Sequence, residues 1–205
     1  MFLLVLRVFI SNMGRSVCIF CASSTRVPEI YHIDAEEIAS LLVFNGVEIK
    51  YGGGSVGLMG SIANTALKNK GEIIGVIPQF MVDMEWANNK ITNLIIVEDM
   101  QERKKKMIEN VDAVVALAGG IGTLDELIEV ITLRQLGQFT KPIIILNTNN
   151  FYNDLLNQLD TMISEGFMRE SHKTLWHVVQ TPKEAVLAIS QLEETDNSII
   201  KSAQV

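Results

Sequence analysis

The sequence predicts an α/β fold: a Rossmann-like, doubly wound, mostly parallel sheet with helices on both faces, in a single domain. Three observations carry the prediction. Short apolar runs alternate with longer helical patterns from Val17 to about Leu192. Two glycine-rich turns each follow a strand-like run and precede a helix-like one. A chain of 205 residues that is 48% apolar is long enough for one well-buried domain and short for two.

The first strand is expected at Val17 to Phe20, where "SVCIFCAS" is apolar up to its small polar exit, and a helix at Glu29 to Phe44 follows. Strand Val47 to Lys50 runs into "YGGGSVGLMG", after which a helix is expected at Met59 to Asn69. Strands at Ile73 to Ile77 and Leu94 to Val97 lead to the helix of "MQERKKKMIEN", Met100 to Asn110. Strand Ala113 to Leu117 enters "AGGIGTLDEL" and a helix at Thr123 to Leu136, where Leu124, Leu127, Ile128 and Ile131 form the i, i+3, i+4, i+7 stripe expected to face the sheet. The series closes with strand Ile143 to Leu146, helix Asn153 to Glu165, strand Trp176 to Val179 and helix Pro182 to Leu192.

The domain is expected over residues 13–192, with 1–12 as an N-terminal extension and 193–205 as a polar tail. The opening "MFLLVLRVFI" is too short to span a bilayer and lacks the flanks of a signal peptide, so the chain reads as cytoplasmic. A net charge of -7 argues against nucleic acid or a membrane surface as partner, because both need a summed positive field. Any anion must be held by local groups. Cys18 and Cys21 make a C-x-x-C, but strand residues three apart face opposite ways, so they read as buried thiols. His32, His172 and His177 have no metal-ligand spacing, and neither a metal nor a cofactor is expected.

Gly52, Gly54 and Gly57 match G-x-G-x-x-G, yet Pro78 and Gln79 stand where a dinucleotide site needs an acid for the ribose. After the second loop, Gly119 to Thr123, the next strand ends in Asn147. Neither loop has the Gly-Lys-Ser/Thr ending of a P-loop. A nicotinamide enzyme and an ATPase are therefore poor fits, which leaves a mononucleotide or sugar phosphate. Unpaired N–H groups at a helix start carry the positive end of its dipole, so glycines there can cradle a phosphate without net positive charge. The alternative is that the glycines only make tight turns.

Two readings stand for Glu126. Thr123 and Glu126 have the T-x-x-E spacing of a capping box, which would make the glutamate structural. Alternatively Glu126 serves chemistry on the helix face it shares with Val130 and Leu133, a second apolar face that suggests a covering subunit. Arg103 and Lys104 share a helical face with Met100 and Met107, and are either snorkelling surface cations or ligands for phosphate or ribose.

Taken together, "YGGGSVGLMG", "GVIP", "MQERKKKM" and "AGGIGTLDEL" resemble the Lonely Guy family of cytokinin riboside 5'-monophosphate phosphoribohydrolases, whose hallmark is P-G-G-x-G-T-x-x-E downstream of an E-R-K helix. The resemblance runs from "CIFCASS" through "QLGQFTKPIIILN" and "DTMISEGFM" to about Ile189. It implies a Rossmann-like homodimer that releases free base and ribose 5-phosphate from an AMP-type nucleotide, with Arg103 and Glu126 as the catalytic pair. It puts Glu85, Lys104, Gly119, Gly120, Gly122, Thr123 and Asp125 at the substrate. Some members carry the label lysine decarboxylase, for which no residue pattern speaks here. Ala118 departs from the family's proline and Asp125 from a frequent glutamate. A protein that binds a nucleoside monophosphate without cleaving it is the competing class.

Overall fold

The computed structural model describes residues 16–84, 86–91 and 93–191. The extension over 1–12, the tail over 193–205 and Glu85 lie outside the described residues. The elements are β1 (Ser16–Phe20), α1 (Glu29–Phe44), β2 (Glu48–Tyr51), α2 (Gly57–Lys68), β3 (Ile73–Pro78), α3 (Gln79–Asp83), β4 (Asn93–Val97), α4 (Met100–Ile108), β5 (Ala113–Ala116), α5 (Ile121–Gln135), β6 (Ile143–Leu146), α6 (Asn153–Ser164), β7 (His177–Val179) and α7 (Pro182–Gln191).

Each strand and helix foreseen from the sequence is present, with ends displaced by at most two residues. The short α3 was not foreseen. None of its five residues is buried, so it carries no apolar stripe to read. The 3-10 turns Thr148–Asn150 and Glu170–Leu175 escaped because they are too short to show a period.

The seven strands form one parallel sheet in the order β4-β3-β2-β1-β5-β6-β7. Helices cover both faces, and strands buried on both sides become uninterrupted apolar runs such as the Ile-Ile-Ile-Leu of β6. One core joins Val17, Ile19 and Cys21 to Ile38, Leu42, Leu58, Ile62 and Val186 of α1, α2 and α7. The other joins Cys18 and Phe20 to Met107, Leu127, Ile131 and Leu159 of α4, α5 and α6. The two cysteines are thus free thiols on opposite faces of β1's line, as their spacing required.

From β1 the chain winds outward through β2, β3 and β4, then returns to β1's other side for β5, β6 and β7. The direction of winding reverses between β1 and β5, so the loops at their carboxyl ends diverge and leave a crevice. Backbone bonds lace this end together. The Leu117 N–H donates to Phe20 O at 2.9 Å, the Ala22 N–H to Ala118 O at 3.3 Å and the Met59 N–H to Ala22 O at 3.3 Å. The loops after β1, β2 and β5 therefore meet at one point.

Behind α5 packs the turn Glu170–Leu175, with His172 and Leu175 buried. The Nδ1 of His172 accepts the Arg169 N–H at 3.3 Å, which assigns its proton to Nε2. Burial, and then the Arg169 charge, hold this imidazole below the usual histidine value of 6.5. The folded chain binds the proton more weakly than the unfolded one, so stability is full above 6.5 and is lost as pH falls through the depressed value. Urea midpoints should accordingly drop as pH falls below 6.5, and His172→Gln should flatten that drop. An unchanged pH slope in the variant would show that His172 is no part of it.

Candidate active site

At the crevice lies a cavity of about 490 Å³, within the size of small-ligand sites. Its walls come from four places: Cys21 to Ser24 after β1, Gly52 and Gly54 to Val56 after β2, Gly120, Gly122, Thr123 and Glu126 of α5, and Met81, Trp86, Met100 and Arg103 on the far side. A hollow of similar volume lies on the outer side of α5, lined by Ile121, Leu124, Ile128 and Leu133 with Asp125 and Glu129. Its polar lining is two like-charged carboxylates and Thr132, whose hydroxyl is spent on the Ile128 carbonyl. The first cavity, with the Arg103 cation and the Glu126 anion facing inward, is the candidate site.

Asp99 starts α4 by accepting the N–H groups of Gln101 and Glu102 at 2.8 Å. One turn on, Arg103 points inward and is only 5% exposed. Its Nη1 donates to Glu126 Oε1 at 2.7 Å, its Nε to the Val76 carbonyl at 3.1 Å and its Nη2 to the Gly52 carbonyl at 3.2 Å. A Cβ on residue 52 would stand 2.1 Å from that Nη2, so only glycine admits the guanidinium. Glu126 is 7% exposed. Burial raises its pKa above the usual 4.5, against the lowering by Arg103's charge and hydrogen bond.

Helix α5 begins two residues before the predicted start. Gly120 is its N-cap and no side chain caps it. Thr123 therefore lies inside the helix, and the capping-box reading of Thr123 and Glu126 is overturned. The expected stripe is corrected as well. Thr123, Glu126, Leu127, Val130 and Ile131 are buried, whereas Ile128 is 40% exposed and Leu124 only half-buried. The α5 sequence carries two overlapping apolar stripes, and the one holding Glu126 turns inward because Arg103 is there to receive the carboxylate. The second apolar face exists, but it is Ile121, Leu124, Ile128 and Leu133.

The uncapped start of α5 leaves its first-turn N–H groups without side-chain partners, and α2 opens on the same cavity with no side-chain cap at Val56. A Cβ on Gly119 would lie 2.1 Å from Thr123 Oγ1, so glycine there seats the threonine hydroxyl. A Cβ on Gly120 or Gly122 would meet nothing within 4 Å. Their missing side chains keep the floor of the cavity open, the form an anion cradle requires.

Of the residues singled out from the sequence, Arg103, Gly120, Gly122, Thr123 and Glu126 line one cavity, with Gly119 directly behind Thr123. Lys104 and Asp125 do not line it. The Lys104 Nζ pairs with Asp125 at 3.1 Å and also with Glu129, bridging α4 to the outer side of α5. The hydrogen bond to Glu129 leads the groups that hold its ammonium above the ordinary lysine range. Sequence reasoning passed over Cys21 to Ser24, although a loop directly after the first strand of a doubly wound sheet is where a ligand crevice opens. Met59, Met81, Trp86 and Met100 gave no signal, since methionines at helical spacing read as core.

The sequence model of a family described as "possible lysine decarboxylase" matches residues 59–189. A probable cytokinin riboside 5'-monophosphate phosphoribohydrolase, LOGL2 of Oryza sativa subsp. japonica, is 41% identical over 185 residues, covering 90% of this chain and 75% of that one. The cytokinin riboside 5'-monophosphate phosphoribohydrolase LOG5 of Arabidopsis thaliana is 35% identical over 195 residues, covering 95% and 86%. The chain belongs to the Lonely Guy family. The fold of this Lonely Guy chain is also that of the molybdenum cofactor carrier protein from Chlamydomonas reinhardtii, with a TM-score of 0.65 at 20% identity over 86% of this chain and 96% of that one.

Removing one partner of a buried ion pair leaves the other charge uncompensated, at a cost of about 3–5 kcal/mol. Arg103→Ala should cost that much at pH 7. Without Arg103 the Glu126 pKa rises further above 4.5, so the penalty is full at high pH and fades as pH falls toward 4.5 and the carboxyl protonates. Urea unfolding of both proteins across pH 5–8 measures it; a gap independent of pH would mean that Glu126 is not the group left stranded.

Proposed function

We propose that this Lonely Guy chain hydrolyses the N-glycosidic bond of adenine-type (cytokinin) nucleoside 5'-monophosphates, giving free base and ribose 5-phosphate. The relatives' activity supports the reaction class, and one observation carries its assignment to this cavity: a nearly buried carboxylate, Glu126, held by Arg103 beside an open helix start.

Breaking the bond to the base leaves positive charge on the ribose. A fixed carboxylate next to that carbon is favoured more in the transition state than in the ground state, which is what lowers a barrier. Burial raises the Glu126 pKa and so makes the carboxylate a better base for the attacking water, while the charge and hydrogen bond of Arg103 act against that rise. The phosphate belongs at the α5 start, with Gly119, Gly120, Gly122 and Thr123 as its cradle. Arg103 has five N–H donors and spends three on Val76, Gly52 and Glu126, which leaves one on each Nη for phosphate or ribose. Remote phosphate contacts then fix the sugar for attack. Decarboxylation of lysine through a Schiff base has no such support, because among the described residues no lysine lines the cavity.

The same reading makes the chain a cytoplasmic homodimer. Its thiols are free, and the outer stripe of α5, with Ile121 at 82% and Ile128 at 40% exposure, is the face for the second copy. That face also carries Lys104 and Asp125, which would bring both to a subunit boundary next to the cavity. Ile128→Glu should convert a dimer to a monomer in sedimentation velocity, and an unchanged sedimentation coefficient would put the interface elsewhere.

Incubation with AMP and with its N6-isopentenyl derivative should release free base, read by chromatography. Glu126→Gln keeps an oxygen for Arg103 but loses the charge, and should lower the rate by about 10² to 10³. Retention of most turnover would remove Glu126 from the chemistry; nucleotide binding without any base release by the unmodified chain would instead identify a sensor.

A further inference from the structure

Tyr51 and Tyr152 are the largest fully buried side chains among the described residues, and the phenol of each ends on a carbonyl at a glycine loop. The Tyr51 OH donates to Gly54 O at 3.2 Å, and the Tyr152 OH to Leu117 O at 2.7 Å. Leu117 is the residue before Ala118, Gly119 and the Gly120 cap of α5. A buried phenol must find a partner, and this one takes the carbonyl of Leu117, two residues before the first glycine of the cradle.

The tyrosine is itself held firmly. Its N–H donates to Asn147 Oδ1 at 2.7 Å, the Asn147 Nδ2 donates to Asn153 Oδ1 at 2.9 Å, and its ring meets Phe151 edge-on at 5.0 Å. A peptide is planar, so fixing the Leu117 carbonyl also fixes the direction of the Ala118 N–H and the path of the chain into Gly119. The Leu117 N–H also donates to Phe20 O at 2.9 Å, but beyond Leu117 the tie is the longer, weaker bond from the Ala22 N–H to Ala118 O at 3.3 Å. Alanine at 118, unlike proline, does not lock φ, so the loop depends on its outside anchor.

We propose that Tyr152 is a positioning residue for the phosphate cradle, acting through the Leu117 carbonyl to set the glycine loop at the start of α5. The inference rests on the phosphate assignment made above. It requires an effect specific to the phosphate end of the ligand, which a merely structural tyrosine would not produce.

The test is calorimetric titration of the full chain and of Tyr152→Phe with ribose 5-phosphate and, separately, with adenine, alongside melting curves. Loss of one hydrogen bond behind the loop should weaken ribose 5-phosphate about three- to tenfold and leave adenine unchanged. Adding Ala118→Pro to Tyr152→Phe should restore the ribose 5-phosphate affinity, because the ring stiffens the same loop by another route. Equal weakening of both ligands, or a lowered melting temperature with unchanged affinities, overturns the proposal. An unmodified chain that binds ribose 5-phosphate but releases no base from AMP defeats the enzymatic reading and leaves the Tyr152 result to stand; one that binds no ribose 5-phosphate defeats both.

Discussion

The bond from Arg103 to Glu126 is the constraint around which the carboxyl end of the sheet is arranged. Burying either charge alone is prohibitive, and even a pair gives up so much hydration that it seldom stabilises a fold more than apolar side chains of equal size would. Its environment is therefore informative. The guanidinium reaches Glu126 from α4 across the ends of β2 and β3, and the carbonyls of Gly52 and Val76 take up two further N–H groups. Glycine at 52 is needed to let the Nη2 in, and α5 must turn its carboxylate-bearing stripe inward. A stability argument alone does not account for so many accommodations around one pair, whereas a need for a fixed anion beside a ligand does.

The strand and helix pattern was legible because a parallel sheet between two helical layers leaves strong signals: all-apolar strands and amphipathic helices at their respective periods. Topology was legible only to the level of a doubly wound sheet, and the crevice after β1 and β5 follows from the order of strands, which sequence alone did not supply. The α5 face was misread for a definite reason. Leu127 and Ile131 are buried as expected, but Leu124 and Ile128 compete with Val130 to complete the buried stripe, and apolar counting cannot see that Arg103 waits opposite Glu126. The same blindness favoured capping over chemistry as the reading of T-x-x-E, until the cap proved to be Gly120.

Arg103 and Lys104 show how adjacent residues with similar chemistry separate. They are about 100° apart on α4, enough to send one into the cavity and the other to Asp125 and Glu129 on the outer side of α5. Their difference in type suits the difference in place. A planar guanidinium can satisfy two carbonyls and a carboxylate at once, whereas a lysine ammonium on a flexible stem serves a half-exposed bridge between helices. Family resemblance joined the two at the nucleotide; in the single chain only Arg103 reaches the cavity.

The acidic balance of the chain and the anionic ligand proposed for it are compatible because the attraction is local. Two helices, α2 and α5, start at the same crevice without side-chain caps, so backbone N–H groups rather than surface cations supply the positive potential. Such a site falls off within a turn of helix, and its strength depends on the orientation of a few peptide planes, which is why rigidity behind the loops matters more than charge in front of them. Side-chain cations would attract any polyanion; peptide dipoles converging on one small volume select a single phosphate. With Glu126 on the same cavity, the ligand proposed here is anionic at one end and able to carry positive charge at the next, which describes a nucleotide whose sugar is losing its base.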